Sequence, residues 1–175
     1  MNEIIKKNGV NAGVFAGVVT IIVYLLVYFI DVKLLAEWYI GVGLIIFYIA
    51  YAVITMSKTK KQLNGIYPFK DAFTTYFIYT VVGMLISIVF SYILFNFIDT
   101  QAAETIKEVT IEKTVALMQK MQLPASELEK IVSEMQKQNT YSLGNLLKSS
   151  AGSLIFSIII GLILALIFRS KPQVE

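Results

Sequence analysis

Four runs of this sequence carry no charged residue, and each is long enough to cross a bilayer: Asn8 to Ile30, Trp38 to Ser57, Ala72 to Ile98 and Ser149 to Phe168. A spanning helix needs about 20 mostly apolar residues, because each advances about 1.5 Å through a hydrocarbon core about 30 Å thick. All 15 basic and 12 acidic residues lie outside the four runs. The pattern predicts an all-α integral membrane protein, a single membrane domain with spans over about 9–30, 38–57, 72–98 and 149–168.

Composition agrees with lipid as the solvent. With 57% of its 175 residues hydrophobic, the chain holds more apolar surface than a water-soluble domain can hide. The last run alone holds twelve Leu, Ile and Phe residues from Leu154 to Phe168. At roughly −0.5 kcal/mol each they favour insertion by about 6 kcal/mol, as an upper bound. Lys6 and Lys7 before the first run imitate a signal peptide. The apolar stretch exceeds the roughly 7–15 residues of a signal h-region, so a retained first helix is expected.

Charge sets an expected orientation. Basic residues near span ends stay in the cytoplasm. They gather at the amino end (Lys6, Lys7), in the second loop (Lys58, Lys60, Lys61, Lys70) and in the tail (Arg169, Lys171, against Glu175). Four spans place these three pieces on one side. Both termini are therefore expected in the cytoplasm, with the chain in a bacterial inner membrane. Trp38 and Tyr39 would mark the outer interface, and Tyr67 and Phe69 the inner one.

The segment 99–148 is the one sizeable polar stretch, expected as a periplasmic helical hairpin between spans three and four. Ala102 to about Gln122 reads as helix, either separate or continuing the third span, and Pro124 ends it. Ser126 with Glu129 has capping-box spacing, and Leu128, Ile131, Val132 and Met135 follow as one apolar stripe. The hairpin is read as a partner-binding element or a passive connector. Asn64-Gly65 reads as a turn, and Pro68 suits the first turn of the third helix.

Small residues recur every four positions: Gly9, Gly13 and Gly17 in the first span, Gly83, Ser87 and Ser91 in the third, and Ser149, Ser153, Ser157, Gly161 and Ala165 through the fourth. Small side chains let helix backbones approach closely in lipid. Two readings stay open: packing of the four helices on one another, or an oligomer interface or lined pore.

Several chemistries lack their residues. There is no histidine and no cysteine, which removes the commonest general base, the usual metal ligands and thiolate chemistry. No metal site, no cofactor site and no catalytic residue is expected. No carboxylate, Lys or Arg lies inside the spans, where proton- and ion-coupled transporters place them. Thr20, Thr55, Thr74, Thr75 and Thr80 are expected to bond their own helices. The net charge of +3 is spread along the chain and does not suggest nucleic acid. The Lys58-Thr59-Lys60-Lys61 run can attract anionic lipid, though setting topology already accounts for it.

The layout also resembles a known family. Asn8-Gly9 and Asn11-Ala12-Gly13 open the first span, and Gly65-Ile66-Tyr67-Pro68-Phe69-Lys70-Asp71-Ala72-Phe73 resembles a recurring Gly-x-x-x-Phe-x-acid-Ala block. A Met-rich helical loop precedes a final Ile/Leu span ending in Arg169 and Lys171. Together these resemble the bacterial four-pass membrane family catalogued as domain of unknown function 4199. The resemblance implies architecture and localisation, and brings no activity. The leading expectation is a non-enzymatic membrane protein acting by helix packing or partner binding. The runner-up is a small oligomeric transporter or channel with a Gly/Ser-lined path along the fourth span. Expected partners are membrane lipid, a second copy through the small-residue faces, and a protein at the 99–148 loop.

Overall fold

Local signals start and stop each helix of the computed structural model, which describes residues 2–170. Lys171 and Glu175 of the charge argument lie outside the described residues. Helix α1 (Glu3–Ile30) is capped by Asn2, whose side chain accepts the Ile4 N–H at 2.9 Å. It ends at Asp31, where the backbone turns extended and starts a 3-10 turn over Val32–Ala36. Helix α2 (Trp38–Gln62) stops before Asn64 and Gly65, which take φ of 54° and 83°. Asn and Gly are the residues that enter this left-handed region most readily. Helix α3 (Phe69–Ile93) follows Pro68, whose carbonyl accepts the Asp71 and Ala72 N–H groups.

The polar stretch resolves into two helices. A π-helical turn, Leu94–Ile98, ends the third span, and Asp99 then leaves helical geometry. The Asp99 carboxylate caps helix α4 (Thr100–Lys120) by accepting the Ala102 N–H at 2.8 Å. Thus α4 begins afresh rather than continuing α3. Helix α5 (Ala125–Lys137) starts one residue before the expected capping box. Pro124, with φ fixed near its ring value, holds the entry, and its carbonyl accepts the Glu127 and Leu128 N–H groups. Ser126 therefore lies inside the helix and caps nothing. Ser142 caps helix α6 (Leu143–Phe168).

Four of these helices, with the π turn counted in α3, are long and apolar enough to cross a membrane. Only 17–22% of each apolar window is buried within the protein. Phe15, Ile22, Leu26, Ile46, Ile155 and Ile163 point outward. An exterior of this kind is stable in hydrocarbon and costly in water.

Helix α3 is central, packed on α1 and α6 and more lightly on α2. Gly9, Gly13 and Gly17 of α1 face Ile78, Val82 and Ile86 of α3. Both rows advance together, so α1 and α3 run parallel, with a four-residue row of each helix in contact. One end of the bundle is tied by Asn8 donating to Thr59 (2.9 Å) and Gln62 (2.6 Å), and by paired bonds between Tyr67 and Ser170. The opposite end holds Tyr28 donating to Asp99 (2.6 Å), Asn96 donating to the Tyr141 carbonyl (2.8 Å), and the Lys113–Glu37 ion pair. The amino end, the 62–69 connection and Ser170 thus share one end, and α4 and α5 sit at the other.

Alanines and tyrosines build the main core. Ala12, Ala16, Ala52, Ala72 and Ala165 let backbones approach, and Tyr76 and Tyr79 fill the space between. Tyr67, expected as an interfacial ring, is instead wholly buried in this core. Its hydroxyl lies beside the Thr59 and Thr75 side chains without hydrogen-bond geometry to any partner among the described residues. Burial pushes that phenol up to about 12.

Candidate functional site

A lateral groove of about 500 Å³ lies between α2 and α6. Helix α3 forms its floor with Tyr76, Thr80 and Met84. Leu44, Ile45 and Tyr48 of α2 form one wall, and Gly152, Ser153, Phe156 and Ser157 of α6 the other.

Helix periodicity explains why α6 leaves a groove. Its seam against the bundle steps through Ser157, Gly161, Leu164, Ala165 and Phe168. Gly161 lies under the Tyr76 ring, so closely that a Cβ there would fall 2.6 Å from the ring's Cε1. Alternating three- and four-residue steps keep a seam on one face, whereas a strict four-residue row drifts about 40° per step. Ser153 and Ser149 therefore rotate away from the seam, and both are exposed.

The hydroxyls on the groove are already engaged. Tyr76 and Ser157 share a bond of 2.9 Å, and Ser157 donates to Thr80 at 3.4 Å. The Tyr48 hydroxyl meets Thr20 at 3.2 Å, and Ser153 donates back to the Ser149 carbonyl at 3.2 Å. No carboxylate, amine or guanidinium lines the groove. Its surface is an apolar trough with a few satisfied hydroxyls, suited to an apolar occupant that asks for at most one or two polar contacts.

The sequence-derived small residues divide among three environments. Gly9, Gly13 and Gly17 are buried against α3, where Gly83 lies close to the Gly13 carbonyl and the Tyr48 hydroxyl. Ser87 is half-buried and donates to the Gly83 carbonyl at 3.0 Å, and Ser91 is half-buried nearer the π turn. Gly161 and Ala165 are buried, Ser157 is at the groove, and Ser149 and Ser153 face outward. Thr20, Thr55, Thr74 and Thr75 donate to carbonyls one turn earlier. Thr80 differs, accepting from Ser157 on another helix. The sequence reading did not single out Tyr48 and Tyr76 as groove residues. Their one signal was aromatic spacing, Tyr76 with Tyr79 and Tyr48 with Tyr51, which lipid-facing rings display equally. Among the described residues no three His, Cys, Asp or Glu side chains come together as metal ligands.

A family model spanning residues 11–170 matches this chain. The chain belongs to the family described as Protein of unknown function (DUF4199). The match takes in α1 from residue 11 onward, the other three long apolar helices and the α4–α5 segment. No curated protein and no solved structure matches it. Membership fixes kinship and supplies no reaction, so function rests on the groove.

Proposed function

We propose that this chain is a non-enzymatic, four-pass protein of the bacterial inner membrane that receives a transmembrane helix of a partner chain in the α2–α6 groove. The carrying observation is the groove itself: apolar, with satisfied hydroxyls, and bordered by the exposed small residues Gly152 and Ser153, with Ser149 exposed one turn earlier. Small residues let a second helix approach closely, and in lipid close packing supplies most of the association energy. Acid–base and metal chemistry find no group in the groove to carry them. The positive flanks support an orientation with both termini cytoplasmic and α4–α5 outside.

The chain has no native cysteine, so Ser153→Cys gives a single addressable thiol. In native membranes it should react with lipid-soluble maleimides and resist membrane-impermeant ones. A photo-crosslinker attached there should capture a protein. Adducts with lipid alone would end the helix-receiving reading. Reporter fusions at Lys60 and Gln122 should report opposite sides, and the same side would end the topology.

One observation favours a second reading, a small oligomeric transporter: Ser153 and Ser157 both border the groove. Ready labelling of Ser153→Cys by impermeant reagent from either side would replace the first reading with this one.

A further inference from the structure

A second pocket, about 450 Å³, lies where α2 and α6 end, next to the turn through Gly65. It is lined by Ser57, Lys60, Lys61, Gly65, Ile167 and Phe168. Ser57 and Phe168 are the last residues of two uncharged runs. The pocket therefore straddles the level at which hydrocarbon gives way to headgroups. The two helices differ in chemistry. Helix α2 contributes Ser57, Lys60 and Lys61 to the lining, and α6 contributes Ile167 (67% exposed) and Phe168.

Lys60 and Lys61 form no ion pair among the described residues. Both sit in the last turn of α2, where a cation also complements the helix dipole. That role needs neither a second lysine nor a cavity between them and another helix. The two helix C-termini here carry partial negative charge, about half a unit each, against two full positive charges. Lys58 and Arg169, which follow the lining residues Ser57 and Phe168 directly in sequence, are exposed and add to the positive field. Gly65 leaves the pocket mouth clear, with nothing within 4 Å of where a Cβ would stand.

We propose that this pocket binds an anionic phospholipid, with Lys60 and Lys61 on the headgroup phosphate and an acyl chain along Ile167 and Phe168. An amphipathic lipid satisfies both halves of the lining, whereas a free phosphate would use only the ammonium half. The site is independent of the helix-receiving groove, because it lies at the bundle end and requires only that the spans be in a membrane.

The test uses the full chain purified in a neutral detergent. Thermal unfolding is followed while phosphatidylglycerol, phosphatidylcholine or inorganic phosphate is added. Phosphatidylglycerol should raise the transition temperature saturably, and the other two should not at equal concentration. At about 1 kcal/mol per base, Lys60→Gln with Lys61→Gln should weaken the apparent affinity by roughly thirtyfold. Should the double variant not fold, Lys61→Gln alone, at an exposed position, should weaken it by about fivefold. Lys6→Gln with Lys7→Gln, on the same bundle end, should leave it unchanged. Equal stabilisation by phosphatidylcholine, full reproduction by inorganic phosphate, or an equal loss in the Lys6/Lys7 variant would each overturn the proposal.

Discussion

Replacing Gly13 by alanine tests the packing on which the bundle rests. The new Cβ would stand 2.6 Å from the Val82 Cβ and 2.7 Å from the Tyr79 carbonyl oxygen. Ordinary contact begins near 3.4 Å, so about 0.7 Å must be found against a backbone atom. A carbonyl in the middle of α3 cannot yield alone, and α1 must move off as a unit. That loosens the Gly9–Ile78 and Gly17–Ile86 contacts in the same row. Overpacking costs about 1–3 kcal/mol, and a rigid obstacle puts this site near the top of the range. Alanine's better helix propensity offsets about 0.5–1 kcal/mol. The net loss is about 2 kcal/mol, or about 4–8 °C in transition temperature for a chain of this size.

Gly41→Ala is the control, since nothing lies within 4 Å of its would-be Cβ. It should be neutral or gain up to about 1 kcal/mol. Gly9→Ala and Gly17→Ala should lose less than Gly13→Ala. Their nearest obstacles, Ile78 and Ile86 Cβ and Cγ2, stand at 2.8–2.9 Å, and the backbone oxygen met at Gly9, that of Thr75, is at 3.1 Å rather than 2.7 Å, so α1 needs a smaller shift. Thermal unfolding of the four variants in one detergent checks the order. Equal stability of Gly13→Ala and the parent, or equal shifts at Gly13 and Gly41, would refute the assignment of the glycine row to the α1–α3 contact.

Other outcomes follow from single groups. Tyr67→Phe removes a buried hydroxyl that lacks a partner, so it should be neutral or stabilising by about 1 kcal/mol; destabilisation would mean the hydroxyl is paired. The Tyr28 hydroxyl, and after it the Ala102 amide, hold the Asp99 carboxyl below the usual carboxylate range. A lowered folded value contributes stability that is fully present above the ordinary carboxylate range and is lost as pH falls through the lowered value. Tyr28→Phe should therefore be less stable than the parent at neutral pH, with the gap closing in acid, measured by unfolding across a pH series. Tyr76→Phe and Ser157→Ala should each cost about 1 kcal/mol, and the double variant about the same as either, in a double-mutant cycle.

Much of the architecture was legible because hydrocarbon imposes a simple rule on sequence. The uncharged runs mark four long helices, and the Asn64-Gly65 pair marks the turn after α2 by its positive φ values. What stayed illegible depends on partners that composition does not name. Tyr67 has the sequence context of an interfacial ring, yet its backbone is tied to Ser170, 103 residues away, and this draws the side chain into the core. The start of α5 went to Pro124 because a fixed φ outweighs a side-chain cap that needs only rotation of a serine. At Asp99 the local cap on the Ala102 N–H is joined by a bond from Tyr28, which is remote in sequence and invisible to local pattern.

The groove illustrates how one spacing gives two outcomes. On α1, Gly9, Gly13 and Gly17 stay against α3 because α3 offers its own four-residue row, Ile78, Val82 and Ile86. Two such rows cross in step, and each glycine receives a branched side chain. On α6 the row Ser149 to Ala165 meets no matching row. The contact follows Gly161, Leu164, Ala165 and Phe168 instead, and three steps back from Gly161 the row has turned by about 120°. Ser149 and Ser153 are small at positions where neither the core nor lipid requires smallness. Hydrocarbon alone would accept leucine there as readily as at Ile155 or Ile159, both exposed. A face kept small and left uncovered within the chain is the property expected of a surface that another helix approaches, and this is why the groove, rather than the buried glycines, carries the functional reading.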